Sequence, residues 1–174
     1  MKRRHFLSLA LAASLATSLG LAPQAALADD SPVSIVTMFY KVSAGKDGKY
    51  SGKSIYYQDS IRAKYFSKDL RRTVVAFEKK SREKDGLGLD FDPVTDSQDP
   101  SVKALKIEQD GESDGEAAVN ASFGQEGGTQ RKVVRYVFVR QDNAWKLNNM
   151  TSGTGDDGWD LRKLIKANMD DYSK

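Results

Sequence analysis

A chain of 174 residues with 27 Lys and Arg, 24 Asp and Glu, one His and no Cys is long enough for one domain with a proper core. The missing thiols exclude disulfides, thiolate nucleophiles and iron–sulfur ligation, and a single His is too few for the usual zinc sites. The formal net charge of +3 suggests an anionic partner at first sight, but its position along the chain removes that reading.

Lys2, Arg3 and Arg4 open a positive stretch. An Ala- and Leu-rich apolar run follows from Phe6 to about Leu21, and Ala26-Leu27-Ala28 supplies the small-x-small pattern of a cleavage site. Residues 1–28 therefore read as a signal peptide, cut near Ala28/Asp29. The run is shorter than the roughly 20 residues a retained membrane helix needs, so no span is expected after cleavage. Arg3-Arg4-His5-Phe6-Leu7 resembles the twin-arginine export signal, a receptor-read address. That resemblance implies a bacterial protein of the periplasm, exported in a folded state. Removing the signal leaves 24 basic and 24 acidic residues and takes away His5, the one imidazole. The remaining domain, residues 29–174, is formally neutral and carries no nucleic-acid signature. It also lacks any Ser-His-Asp or Cys-His set.

Ser31-Pro32 predicts a helix start, with Ser as N-cap and Pro in the first turn, followed by Val33, Val36, Phe39 and Tyr40 at helical spacing up to Gly45. Residues 45–53 read as a glycine- and lysine-rich loop. Ser54 to Phe66 has a helical second half. Ser67 reads as the next N-cap, and Leu70, Val74 and Phe77 at i, i+4, i+7 give an amphipathic helix ending near Asp85-Gly86. From there the apolar period changes from 3.6 to 2. A connector over 86–101 precedes a strand with Leu105 and Ile107, a turn from Asp110-Gly111 to Gly115, and a strand with Ala117, Val119, Ala121 and Phe123. After a Gly-rich turn, Arg131–Arg140 alternates Val133, Val137 and Val139 with Val134, Tyr136 and Phe138. Asp142-Asn143 reads as a hairpin turn into Trp145, Leu147 and Asn149, and a last helix is expected around Trp159–Met169. Helices followed by an antiparallel meander predict an α+β domain with the helices packed on one face of a four-stranded sheet.

The opening Val-x-x-Phe-Tyr helix, the Tyr65-Phe66-Ser67-x-x-Leu70 joint and the Trp145-Lys146-Leu147 strand resemble the landmarks of the nuclear-transport-factor-2-like superfamily. Leu89-Asp90-Phe91-Asp92-Pro93, with Asp99 shortly after, is similar to a bacterial envelope family of unknown function, domain-of-unknown-function family 3828. The resemblance spans about residues 31–168. It departs at Val94, where members of that family commonly carry Phe. It implies a cone-shaped, cystatin-like sheet with a cavity between sheet and helices, and brings no established activity.

Four features bear on function. Asp90, Asp92, Asp96 and Asp99 crowd the connector, and Asp90-x-Asp92 imitates the start of a calcium loop. Val94 at the fifth position, Thr95 where Gly is needed and the lack of a Glu at the twelfth favour turns and caps in a surface loop, with no metal. Gly153-Thr154-Gly155-Asp156-Asp157-Gly158 matches G-x-G-x-x-G, but two aspartates facing a pyrophosphate and an antiparallel setting argue against a cofactor; Asp156 or Asp157 serves better as a helix cap. Segment 41–84 carries 13 basic and 5 acidic residues, whereas 85–126 carries 2 and 11. Such segregation suits a charged protein partner in the envelope. Finally, Tyr40, Tyr57, Tyr65, Arg135, Trp145 and Asn149 are the candidates to line a ligand pocket in the cone, although amphipathic core residues of this kind need no ligand to explain them.

These observations point away from an enzyme. They favour an exported domain that binds a protein or a small ligand. A small-molecule enzyme or carrier using the cone cavity is the alternative, and a periplasmic immunity or inhibitor protein a further one.

Overall fold

Ser31 caps the first helix as its sequence requires: its Oγ accepts the Ser34 N–H at 3.2 Å, Pro32 occupies the first turn, and α1 runs Pro32–Ser43. The structure is a computed structural model that describes residues 30–49, 53–86, 88–99, 101–153 and 158–173. Residues 1–28, where the sequence leads us to expect an export signal, lie outside the described residues, as do residues 154–157 of the glycine loop. A single 3-10 turn, Ile55–Tyr57, leads into α2, Asp59–Tyr65. Ser67 then caps α3, Lys68–Glu83, accepting the Leu70 N–H at 3.0 Å. Leu70, Val74, Phe77 and Ser81 form the buried stripe of α3. Among the described residues no helix is long and apolar enough to cross a membrane.

The meander holds five strands rather than four. They are β1 Lys103–Ser113, β2 Glu116–Gly124, β3 Arg131–Gln141, β4 Ala144–Ser152 and the two-residue β5 Trp159–Asp160, antiparallel in sequence order. α4, Leu161–Asp171, follows, and its cap is Asp160, whose side chain accepts the Lys163 N–H. Trp159 thus belongs to the sheet and not to the last helix. The expected turn at Asp110-Gly111 is a second correction. β1 continues through it, and Gly111 absorbs a register shift at φ 152°, so the chain reverses only at Asp114-Gly115. The Asp142-Asn143 hairpin has the expected form, with φ of 53° and 61°.

All helices pack on one face of the sheet: α1 against β1 and β2, and α2, α3 and α4 against β4. That face presents Val119, Phe123, Val134, Tyr136, Phe138 and Leu147, each 0% exposed. The fold is α+β, with an open sheet whose β1 edge is exposed along nearly its whole length.

A bulge in β4 sets the geometry of the junction. Val137 pairs with Asn149 but Phe138 pairs with Leu147, so Asn148 is the extra residue. Past it the faces exchange: Met150 points to the core at 0% exposed, and Asn149 leaves the face shared by Trp145 and Leu147. Asn148 Oδ1 accepts from Ser67 Oγ at 2.9 Å and from Arg162 Nη2 at 2.8 Å, while its carbonyl accepts from Arg162 Nε at 2.8 Å. Arg162 Nη1 reaches Asp69 Oδ2 at 2.6 Å. One side chain therefore ties α3, α4 and β4 together. Asn148→Ala and Ser67→Ala are each expected to lower unfolding free energy by about 1–2 kcal/mol, the usual cost of a lost cap or of a buried hydrogen-bonding group left unpaired. Because they share a hydrogen bond, urea denaturation of the double variant is expected to show less than the sum of the two losses.

Candidate functional site

The interior of the sheet face is filled by aromatic rings. Tyr40 meets Phe123 edge-on with centroids 5.6 Å apart, and Phe39 and Tyr40 both pack on Tyr136, at 6.3 and 6.4 Å. Tyr40, Tyr136 and Trp145 are 2%, 0% and 5% exposed, so a solute does not meet them from outside. Burial pushes the Tyr40 and Tyr136 hydroxyls far above the usual phenol range.

One carboxylate enters this interior. Asp92 is 8% exposed; its Oδ1 accepts the Val94 N–H at 3.0 Å, while Oδ2 is buried without a hydrogen bond of ordinary geometry. Tyr40 Oη and Ser43 Oγ are in the same condition. Burial raises the Asp92 carboxyl above its ordinary value of 3.8, opposed by the Val94 N–H and the Ser43 hydroxyl. A carboxyl beside tyrosines in an apolar setting is the pairing that supports proton transfer in some isomerases. Here the tyrosine hydroxyls are enclosed, and Asp92 reaches only the floor of an outer cleft of about 400 Å³, beside Ser54, Tyr57 and Phe91.

The other connector aspartates are separated. Asp96 accepts Trp159 Nε1 at 2.6 Å and Ser152 Oγ at 3.2 Å and pairs with Lys132 at 2.9 Å, fastening the connector to β3, β4 and β5. Asp90 and Asp99 face solvent. Asp92 and Asp96 thus have separate duties, Asp92 as an Asx-turn and Asp96 as a tie between strands.

The proposed ligand set is likewise divided. Tyr40 and Trp145 are in the core. Arg135 lies on the opposite face of the sheet, paired with Asp110, and Asn149 leaves the core face at the bulge to donate to Asp160 Oδ2 at 2.9 Å. Tyr65 is half-buried beside Phe39. Tyr57, 51% exposed, forms a wall shared by the Asp92 cleft and a smaller one of about 250 Å³ over Val74, Phe77 and Glu78. Below the second cleft Arg62, 3% exposed, bridges Asp59 and Glu78 and pins α2 to α3.

A further concavity, of about 610 Å³, lies between α2, α3 and the β3–β4 hairpin. Its floor is Ala63, Phe66, Val75 and Ala76; its rim is Lys68, Arg71, Arg72, Lys79 and Lys146, with Asp142 the one carboxylate of the lining. Lys68 holds the Asp142 carboxyl below the usual carboxylate range through their hydrogen bond and attraction. This groove was not among the sequence candidates. Its signal was available in the spacing of residues 68, 71, 72, 75 and 79 on the face of α3 opposite its buried stripe.

No family model and no curated protein sequence matches the chain. Among solved structures, a chain from the crystal structure of the type VI native effector–immunity complex Tae3–Tai3 of Ralstonia pickettii is similar, with a TM-score of 0.50, 20% identity, and coverage of 73% of this chain and 98% of that one. The likeness is one of fold. It covers nearly the whole of the other chain.

Asp92 also predicts a pH dependence. A carboxyl whose folded pKa is raised stabilises the fold while protonated, and that contribution is lost as pH climbs from the unfolded value, near 3.8, through the folded one. Asp92→Asn keeps the acceptor for Val94 N–H and removes the buried charge. Its urea midpoint is expected to exceed that of the wild type at pH 7, with the gap closing below the ordinary carboxylate range. A variant less stable than the wild type at pH 7 would show that the Asp92 charge is held by partners stronger than those described.

Proposed function

We propose that the chain is an exported, non-enzymatic binding protein of the immunity or inhibitor type, acting on another protein in the bacterial periplasm. The observation that carries this reading is the fold likeness to a chain of an effector–immunity complex, which extends over 98% of that chain. Of the two roles in such a pair, the binding role suits this sequence better. After the proposed cleavage it has neither His nor Cys, and the buried Tyr40 is closed off from a substrate. A filled interior leaves the outer surface as the place of recognition. The cone-shaped, nuclear-transport-factor-2-like architecture and membership of domain-of-unknown-function family 3828 are part of the same proposal. Helices confined to one face of an antiparallel meander support them.

A small-molecule enzyme or carrier is the second reading, and Asp92 on the floor of the cleft beside Tyr57 is the observation that favours it. A ligand there would be held by the cleft, so Asp92→Asn would abolish its binding, whereas binding of a protein elsewhere would be untouched.

Location and role are tested together. Arg3→Lys with Arg4→Lys is expected to keep the chain in the cytoplasm, because the twin-arginine receptor reads both guanidinium groups. Growth of cells exporting a toxin that the immunity reading expects to be encoded beside this chain is expected to recover when the chain is co-exported, and not when it is retained. Purified protein immobilised in periplasmic extract is expected to hold that toxin at low salt and release part of it at high salt. Normal export of the double-Lys chain would remove the twin-arginine route. Retention of no protein at either salt concentration would remove the immunity reading.

A further inference from the structure

We infer that the groove between α2, α3 and the β3–β4 hairpin docks an extended acidic segment of the partner protein, with one aliphatic side chain seated over Val75. The inference rests on the protein-binding reading and names the surface and the chemistry that reading leaves open.

The charge on the rim is available to a partner. The Arg71 guanidinium lines the groove and has no ion pair or hydrogen bond among the described residues, its backbone N–H alone donating to the Ser67 carbonyl. Lys79 is joined to Glu83 only at 3.8 Å, Arg72 to Asp69 at 2.8 Å and Lys68 to Asp142 at 2.9 Å, all through exposed side chains. Pairs of this kind are weak and exchange readily for a better-placed carboxylate. Lys146 donates to the Lys64 carbonyl and brings a cation to the opposite wall without a carboxylate partner. Five cations therefore face one carboxylate across a single concavity.

The floor accounts for the aliphatic requirement. Val75 is 42% exposed, among the largest apolar exposures in the fold, and sits midway along the cationic face of α3 with Ala63 and Ala76 beside it. From Lys68 to Lys79 that face is about 16 Å long at 1.5 Å per residue, the length of about five residues of extended chain.

Other occupants fit less well. Phe66 is 3% exposed and edge-packed on Phe39 and Tyr56, so the groove has no aromatic platform for nucleic-acid bases. A bilayer surface is flat and would leave the floor unfilled. The acidic β1–β2 hairpin of a second copy has the right sign, but its cluster includes Lys106 beside Glu108 and faces Arg135 at Asp110, so it is less acidic than a segment without cations, and self-association is an outcome of the test.

The test is an NMR titration of the purified protein with two synthetic pentapeptides, Glu-Asp-Leu-Glu-Asp and Glu-Asp-Ser-Glu-Asp, at low and high salt. The leucine peptide is expected to shift the amides of Ala63, Arg71, Val75 and Lys146 and to bind more tightly than its serine counterpart by about threefold or more, the order of one buried aliphatic side chain at a half-exposed site. Arg71→Glu with Lys79→Glu is expected to weaken it by about tenfold or more, and Lys41→Glu, a basic residue off the groove, by less than about twofold. Amide spectra confirm that each variant is folded. Equal binding of the two peptides, shifts spread over all basic surfaces, tighter binding to anionic vesicles than to the peptide, or shifts that track protein concentration without peptide would each overturn the assignment. If a cognate toxin binds wild type and the double charge reversal equally, the groove is wrong and the protein-binding reading stands. If no toxin binds while the leucine peptide still seats in the groove, the immunity reading is wrong and the groove stands.

Discussion

The extra residue in β4 is the constraint on which the rest of the molecule depends. A two-residue period on β4 would put Trp145, Leu147 and Asn149 toward the helices and strand a polar amide in the core. The bulge at Asn148 exchanges the faces at that point, so Met150 fills the position and Asn149 turns out to meet Asp160. The same residue then offers its amide and carbonyl to Ser67 and Arg162. The α3 N-terminus docks where the strand is irregular, with the Ser67 N–H on the Leu147 carbonyl at 2.8 Å. A single register shift thereby decides which residues are core, where α3 begins and where α4 lies.

This explains which parts of the fold were legible in the sequence. Local chemistry was readable: Ser31, Ser67 and the Asp142-Asn143 turn each act within four residues, and all three do what their side chains dictate. The inward stripe of α3 and the alternation of β2 and β3 were readable because periodicity persists through whole elements. Bulges were not. Gly111 in β1 and Asn148 in β4 have ordinary turn or strand compositions, and their irregularity exists only relative to the paired strand. For the same reason β1 was cut short and β5 was merged with the helix that follows it.

The candidate site was legible in its charge and illegible in its grouping. Choosing Tyr40, Arg135, Trp145 and Asn149 for one pocket assumed a hollow cone and an unbroken strand period. The aromatic packing of Tyr40 with Phe123 and Tyr136 removes the hollow, and the register places Arg135 and Asn149 off the face that carries Trp145. The acidic connector was read by composition, which cannot distinguish a carboxylate that enters the core from one that ties three strands. Asp92 and Asp96 are four residues apart and have those two different duties.

The segregation of charge has a physical cost that bears on what the outer surface is for. Arg71, Arg72, Lys79 and Lys80 repel one another along α3, and a helix selected for stability alone would intersperse acids at i+4, where each pair adds a few tenths of a kcal/mol. Glu78 supplies that help to Arg82 but is mainly engaged by the buried Arg62. Asp69 is drawn toward Arg162 at the junction. Asp69 and Glu83 also meet Arg72 and Lys79 in exposed, weak pairs, and the outward cations of α3 still outnumber its acids. The balancing negative charge lies in segment 85–126, where Asp96, Asp110 and Glu126 are in turn paired with Lys132, Arg135 and Lys103. The cations left over on α3 contribute little to the fold. In the docking proposed above they orient an incoming charged surface and lower its free energy when its carboxylates meet them.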